Sequence, residues 1–180
     1  MVRQTVIAVW LRPAEPAHSL LQGIINDLAR RFDAPVFEPH VTIHAGADRA
    51  DLAETALEHV ARECTGIGLT SLGIEQSEEF VKTLFVQFKS NAELRQMNEM
   101  IRQSADDSLK YEAKPHLSLL YKKMEPTARR QLAASIIVPF PEIAFDRIKA
   151  VRCVSPTQSH ADVEAWRVIA ATSFRADFGV

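Results

Sequence analysis

The chain has 180 residues, 47% of them hydrophobic and 24% charged, with a formal net charge of −2. That is the composition of one ordinary globular domain, here taken as 1–180, and it excludes a surface made to neutralise the many phosphates of long DNA or RNA. A pocket with a few donors for a small anion stays compatible with it.

The elements follow in chain order. Val6 to Leu11 is apolar and rich in β-formers, and Arg12-Pro13 closes it, so it reads as a strand. The run is too short for a signal peptide or a membrane span, and the chain is expected to be cytoplasmic, without a membrane partner. Leu21, Ile24, Ile25, Leu28 and Phe32 then keep helical spacing, predicting a helix over His18–Phe32. A strand from Pro39 to about Gly46 follows. Leu52, Ala56, Val60 and Cys64 make a second amphipathic stripe, with Gly66 placed to end it. Ile67–Ile74 reads as a strand, Gln76–Lys82 as a polar loop and Thr83–Phe88 as a strand. Ser90-Asn91-Ala92-Glu93 has the pattern of a capping box, opening a helix that fades at Asp106-Asp107-Ser108. A strand from Pro115, a helix over Thr127–Ile137, and two long strands, Ile143–Val154 and Val163–Phe174, complete the chain. The last two are expected to pair as a hairpin across Ser155–Asp162.

The order contains a repeat: strand, helix, strand, helix before Gly66, and again from Thr83 to Ile137. The third element of each unit opens alike, with Pro39-His40-Val41-Thr42-Ile43 and Pro115-His116-Leu117-Ser118-Leu119. On a strand, residues two apart share a face, so His40 goes with Thr42 and His116 with Ser118. Two units packed about a pseudo-dyad would make the histidine strands neighbours and bring both faces to one groove.

Histidine changes protonation near neutral pH. Two of them flanking a phosphoryl centre can divide the work: the neutral one takes a proton from water, the protonated one gives a proton to the leaving oxygen. Thr42 and Ser118 are small donors for the non-bridging oxygens. Among six histidines, a hydroxyl residue two places on is expected about once by chance. Here it occurs twice, each time after proline and at matching points of a repeat.

The two motifs resemble the paired His-x-Thr/Ser signature of the 2H phosphoesterase superfamily. Ala8-Val9-Trp10-Leu11-Arg12-Pro13, Phe37-Glu38-Pro39-His40-Val41-Thr42 and Pro115-His116-Leu117-Ser118-Leu119-Leu120-Tyr121 resemble its small cyclic phosphodiesterase branch. The resemblance implies an α+β bilobal fold, two pseudo-symmetric lobes each with an antiparallel sheet and flanking helices, and a cleft between them. It implies metal-independent opening of a small cyclic nucleotide phosphate, with no cofactor, His40 and His116 catalytic, and Thr42 and Ser118 binding the phosphate. The substrate would be a 2′,3′-cyclic nucleotide or ADP-ribose 1″,2″-cyclic phosphate. Tyr121 matches a residue lining the substrate site, although strict alternation gives it the opposite parity from His116, so a bulge or strand end is required.

Trp10 and Phe80 are candidates to stack on a base. His44 shares strand parity with His40 and Thr42 and is a candidate to face the groove, where the resembling family usually has a small or apolar residue. Lys82, Lys114, Lys122 and Lys123 lie near the motifs and read as solvated; His18, His59 and His160 carry no assignment. Cys64 and Cys153 have no CxxC or zinc-finger spacing and read as thiols of a reducing compartment. Three rivals stay open. One is a 2′-5′ RNA ligase-like or RNA-end-processing enzyme, which needs a basic track. Another is a zinc hydrolase built on His40, His44 and His116. The third is a non-catalytic nucleotide-binding module. The chain is expected to be a monomer.

Overall fold

The alternating apolar residues of the first segment become β1 (Gln4–Pro13) in the computed structural model, which describes residues 3–105 and 114–175. The chain continues through α1 (Ala17–Phe32), β2 (Val41–Ala47), α2 (Ala50–Glu63) and β3 (Ile67–Gln76). A 3-10 turn (Phe80–Lys82) leads to β4 (Leu84–Phe88), α3 (Ala92–Ser104) and β5 (His116–Leu120). The rest is α4 (Pro126–Ser135), β6 (Glu142–Ser155), α5 (His160–Glu164) and β7 (Arg167–Ser173). This is a mixed α+β architecture in which the named strands pair antiparallel.

The seven strands form one sheet in the order β1-β2-β5-β4-β3-β6-β7, with β1 also paired to β6. The strands expected in two lobes are thus joined in one hydrogen-bonded set. Long β6 makes one joint: β1 lies along one edge, and β3 and then β7 share the other. The other joint is between the histidine strands, where Val41 pairs with Leu117. The expected neighbourhood of the two motif strands is therefore realised at a single residue pair.

Period-two alternation sorts β1 onto two faces. Ile7, Val9 and Leu11 enter the main core with Leu21, Ile25 and Leu28 of α1 and Leu94, Met97 and Ile101 of α3. Each such side chain contributes about 1.5–3 kcal/mol by leaving water. Ala8 and Trp10 lie on the opposite face with Val151. The helices cross over between repeats: α1 packs on β5, and α3 on β2.

Both motif strands carry a β-bulge at the same place. In the β1–β2 ladder Val9 faces His44 and Trp10 faces Thr42, so Ile43 is the extra residue. In the β4–β5 ladder Leu84 faces Leu120 and Phe85 faces Ser118, so Leu119 is extra. A bulge reverses side-chain parity beyond it. The carbonyl of Ile43 accepts a hydrogen bond from the Asn98 side chain of α3 at 2.5 Å.

Three local expectations change. Helix α2 ends at Glu63, before Gly66; an added Cβ at Gly66 would meet the Phe145 carbonyl oxygen at 2.9 Å, so close strand approach, not a helix cap, requires glycine there. Helix α3 is capped by Asn91 rather than Ser90: its carboxamide oxygen accepts from Leu94 N while its amide donates to the Gly68 carbonyl, two bonds where a serine offers one donor. The predicted fading at Asp106–Ser108 lies outside the described residues. The connection after β6 contains α5, which has the capping box, Ser159 with Asp162. Val163 is buried in that helix, and β7 starts at Arg167 instead.

Candidate active site

Pro39 and Pro115 each precede a histidine whose ring turns back on the chain. His40 Nδ1 donates to the Glu38 carbonyl at 2.7 Å, and His116 Nδ1 donates to the Lys114 carbonyl at 2.8 Å. A carbonyl can only accept, so both neutral rings carry their proton on Nδ1 and keep a lone pair on Nε2. Both histidines line one cavity of about 340 Å³ together with Thr42, Ser118, Tyr121 and Trp10. Extending the Val41–Leu117 pairing by one residue either way sets His40 across from Ser118 and Thr42 across from His116. The motif residues therefore interleave about the Val41–Leu117 pair.

The rings are held by aromatic neighbours at equivalent places. His40 stacks on Trp10 at 3.8 Å between ring centroids, and Phe85, which takes the place of Trp10 in the second repeat, meets His116 edge-on at 5.5 Å. Trp10 is thereby a platform for the His40 ring on one face, rather than a free stacking surface. Trp166 packs edge-on against Trp10, His40 and Tyr121.

Burial pushes the His40 pKa down to about 4, with repulsion from His116 and Lys149 adding to the effect and the Glu38 carbonyl opposing it. Burial also lowers His116, opposed by the Lys114 carbonyl and Glu79 and aided by Lys82. Behind His40, the Glu38 carboxylate accepts from Arg12 Nε at 2.9 Å and Lys149 Nζ at 2.6 Å, with His18 Nε2 at 3.7 Å. Burial works to raise the Glu38 carboxyl, but Lys149 and Arg12 outweigh it and leave it lowered.

The two hydroxyls differ. Ser118 donates to the Val81 carbonyl at 2.6 Å, so its proton is committed to the chain. Among the described residues the Thr42 side chain has no hydrogen-bond partner. Tyr121 follows the end of β5 and reaches the cavity because the Leu119 bulge puts it on the side of Ser118. It stacks on Phe37 at 3.9 Å, and burial raises its phenol, with Ser118 acting in the opposite direction.

Two candidates fall elsewhere. His44 is buried on the far side of the sheet, beside a second small cavity lined by Val9, Leu57 and Ile101, because the Ile43 bulge reverses its parity; Ala45 takes the place facing the main cavity. His44 stands where the second repeat has Leu120. The set His40, His44 and His116 is thus not assembled, and among the described residues no group of three His, Cys, Asp or Glu side chains is placed to hold a metal. Phe80 turns to Tyr121 at 6.0 Å and packs on the core, while its neighbours Glu79, Val81 and Lys82 line the cavity.

Several lining residues escaped the sequence reading. Trp166 emerges from the unforeseen α5, whose Ser159-x-x-Asp162 pattern was the available signal. Cys153 lines the floor opposite Val6, and burial raises its thiol to about 11. Lys149 pairs with Trp10 across the sheet, a register that sequence does not display. Lys122, read as solvated, donates to the Asp33 carbonyl at 3.1 Å. Among the described residues no helix is long and apolar enough to cross a membrane.

Residues 5–174 match the family described as cyclic phosphodiesterase-like protein. A cyclic phosphodiesterase of Arabidopsis thaliana is 23% identical over 173 residues, covering 94% of this chain and 95% of that one. Among solved structures, E. coli LigT in its apo form superposes with a TM-score of 0.55 at 15% identity, over 97% of this chain and 100% of LigT. A crystal structure described as a phosphoesterase gives 0.56 at 13%, over 96% and 100%. With the match spanning nearly the whole sequence and including both histidine motifs, the chain belongs to the cyclic phosphodiesterase-like family.

Proposed function

We propose that the protein is a phosphodiesterase that opens a small cyclic nucleotide phosphate by two-histidine acid–base catalysis. The observation that carries this reading is the paired geometry of His40 and His116: each Nδ1 proton is given to a carbonyl, and each Nε2 is left to one shared cavity. The cavity volume lies within the range of about 300–1,000 Å³ usual for small-ligand sites. The reading takes further support from the Arabidopsis relative's name and from a LigT structure with 3′-AMP bound, a protein sharing this fold.

His40, the ring with the strongly lowered pKa, is neutral near pH 7 and takes the role of base. Its Nε2 removes a proton from water as the water oxygen bonds to phosphorus. The bond from phosphorus to one ribose oxygen breaks, and protonated His116 delivers its proton to that oxygen. The product is a phosphate monoester beside a free hydroxyl, and the two rings exchange protons with solvent before the next turnover. Thr42 donates to a non-bridging oxygen as charge redistributes. Ser118 holds the Val81 turn that forms one wall, and Tyr121 and Trp166 wall the nucleoside. The substrate is a 2′,3′-cyclic nucleotide or ADP-ribose 1″,2″-cyclic phosphate.

The test is hydrolysis of both substrates by purified protein with excess EDTA, beside folded His40→Ala and His116→Ala variants. The expected result is turnover in EDTA and a loss of about 10²-fold or more in each variant. Activity abolished by EDTA, or retained in either variant, refutes the mechanism. Tight nucleotide binding with no turnover of either substrate instead favours a binding module.

A further inference from the structure

Lys82 is, among the described residues, the only lysine or arginine lining the main cavity. Among the described residues no carboxylate forms a salt bridge with it; its ammonium lies over the Phe85 ring at 4.7 Å, and that ring touches His116. A cation facing a cavity without a counter-ion retains its attraction for an anionic ligand.

The backbone around Lys82 is fixed by side chains. Ser118 donates to the carbonyl of Val81, and Ser77 Oγ donates to the carbonyl of Lys82 itself at 2.8 Å. Thr83 Oγ1 donates to the Lys122 carbonyl at 2.6 Å and accepts from Lys122 N at 3.1 Å. These bonds tie the Phe80–Lys82 turn to β5 and to the chain that follows it. The hydroxyl of the second motif thus holds the turn that brings in a cation. Preorganisation of this kind lowers the ordering cost of binding.

We propose that Lys82 is, along with Thr42, an anion-binding residue of the cavity, and that Lys82 holds the phosphate monoester of a nucleoside monophosphate, the ring-opened product, more strongly than the cyclic diester. This rests on the function proposed above. The charge argument is direct: a monoester carries about −1.5 to −2 near neutral pH, whereas a cyclic diester carries a single charge, so the Coulomb attraction to one ammonium is greater for the product. Glu79 lines the same cavity and opposes the anion. Removing Lys82 and removing the Glu79 charge should therefore move affinity in opposite directions.

The experiment is calorimetric binding of adenosine 2′-monophosphate to the full-length wild-type protein and to Lys82→Met, Lys82→Arg and Glu79→Gln variants, each checked for a cooperative thermal transition. Lys82→Met keeps a side chain that packs on Phe85. The expected result is binding about tenfold weaker in Lys82→Met, as for loss of one charge-assisted contact, near wild-type binding in Lys82→Arg, and tighter binding in Glu79→Gln. Equal affinity in wild type and Lys82→Met overturns the proposal, as does tighter binding in Lys82→Met or no binding by the wild type. If Lys82→Met does not fold, unchanged or weaker binding in Glu79→Gln overturns it. Turnover of the cyclic substrates is measured separately, so an active wild type with an unaffected Lys82→Met removes only this assignment. An inactive wild type whose binding depends on Lys82 removes the phosphodiesterase reading and leaves the anion site.

Discussion

Ile43 and Leu119 hold the same position in the two motif strands: each is the extra residue of a β-bulge immediately after the motif hydroxyl. The bulge sends the next side chain, His44 or Leu120, into the core and the one after it, Ala45 or Tyr121, to the cavity side. His44→Leu, which installs the residue of the other repeat, should therefore leave kcat/KM within about threefold of wild type. Steady-state kinetics on the variant check this; a loss comparable to His40→Ala would return His44 to the site.

In the proposed mechanism the lowered pKa values set the pH range of activity. His40 must be neutral, which holds above about pH 4, and His116 must be protonated, which holds below its own pKa, itself lowered from 6.5. The profile of kcat/KM, which reports the free enzyme, is expected to be a bell with its maximum on the acid side of neutrality. A maximum above pH 7 would contradict the assignment of His40 as base and His116 as acid.

The same burial affects stability. The unfolded chain binds a proton at a histidine near the ordinary 6.5, whereas the folded chain resists protonation of His40 down to about 4. Over that interval the unfolded state holds more protons, so stability rises with pH and is lost as pH falls. The denaturant midpoint of wild type should drop between pH 6.5 and 4, and His40→Phe should flatten the dependence. An identical slope in both proteins would show that other groups govern it.

Glu38 meets His40 twice, with its carbonyl on the ring and its carboxylate beside it, and Arg12 and Lys149 clamp that carboxylate. The carboxylate raises the His40 pKa and Lys149 lowers it. Glu38→Gln should move the acid limb of the rate profile to lower pH, and Lys149→Met to higher pH. Both should lower kcat, by up to about 10²-fold if the ring is displaced. Arg12 and His18 face the clamp and His116 acts on the ring, while Tyr121 and Cys153 line the same cavity; all five are kept unchanged. Shifts of the same sign in both variants would mean that the clamp acts only through packing.

Thr42 and Ser118 should respond differently to loss of the hydroxyl. Thr42→Ala removes a free donor and should reduce kcat by about 10²-fold with little change in thermal stability. Ser118→Ala leaves the Val81 carbonyl without its donor, and should lower stability by about 1–3 kcal/mol and loosen the Phe80–Lys82 turn. Kinetics and thermal melts together separate the two; equal effects would mean the hydroxyls are equivalent.

Much of this site was legible in the sequence because the signals were local. The period-two runs gave the strands, the helical stripes gave α1 to α3, and the duplicated Pro-His-x-hydroxyl pattern located His40, Thr42, His116 and Ser118 in one cavity. The parity conflict at Tyr121 required a bulge or a strand end, and both are found, the bulge at Leu119 and the end of β5 at Leu120. The matching bulge at Ile43 had no such conflict to announce it, so His44 was read onto the wrong face. What stayed hidden depends on cross-strand register and on competition between caps. Lys149 reaches Glu38 only because β6 lies along β1, and Trp166 reaches His40 only because α5 interrupts the predicted hairpin. No window of neighbouring residues contains the first fact; for the second the local Ser159-x-x-Asp162 capping box was the one signal in view.

In the proposed mechanism, a centre assembled about a local two-fold axis has a problem of direction. The axis near Val41 and Leu117 exchanges His40 with His116 and Thr42 with Ser118, so on the motifs alone a ring with two ester oxygens fits equally well turned end for end. Each orientation would sever a different ester bond and yield a different regioisomer. Fastening the Ser118 hydroxyl to Val81 while leaving Thr42 free, and setting Lys82 beside only one histidine, makes the two orientations unequal. In that mechanism the duplicated frame supplies the acid and the base, and the broken symmetry gives them a polarity whose expected signature is a single product isomer.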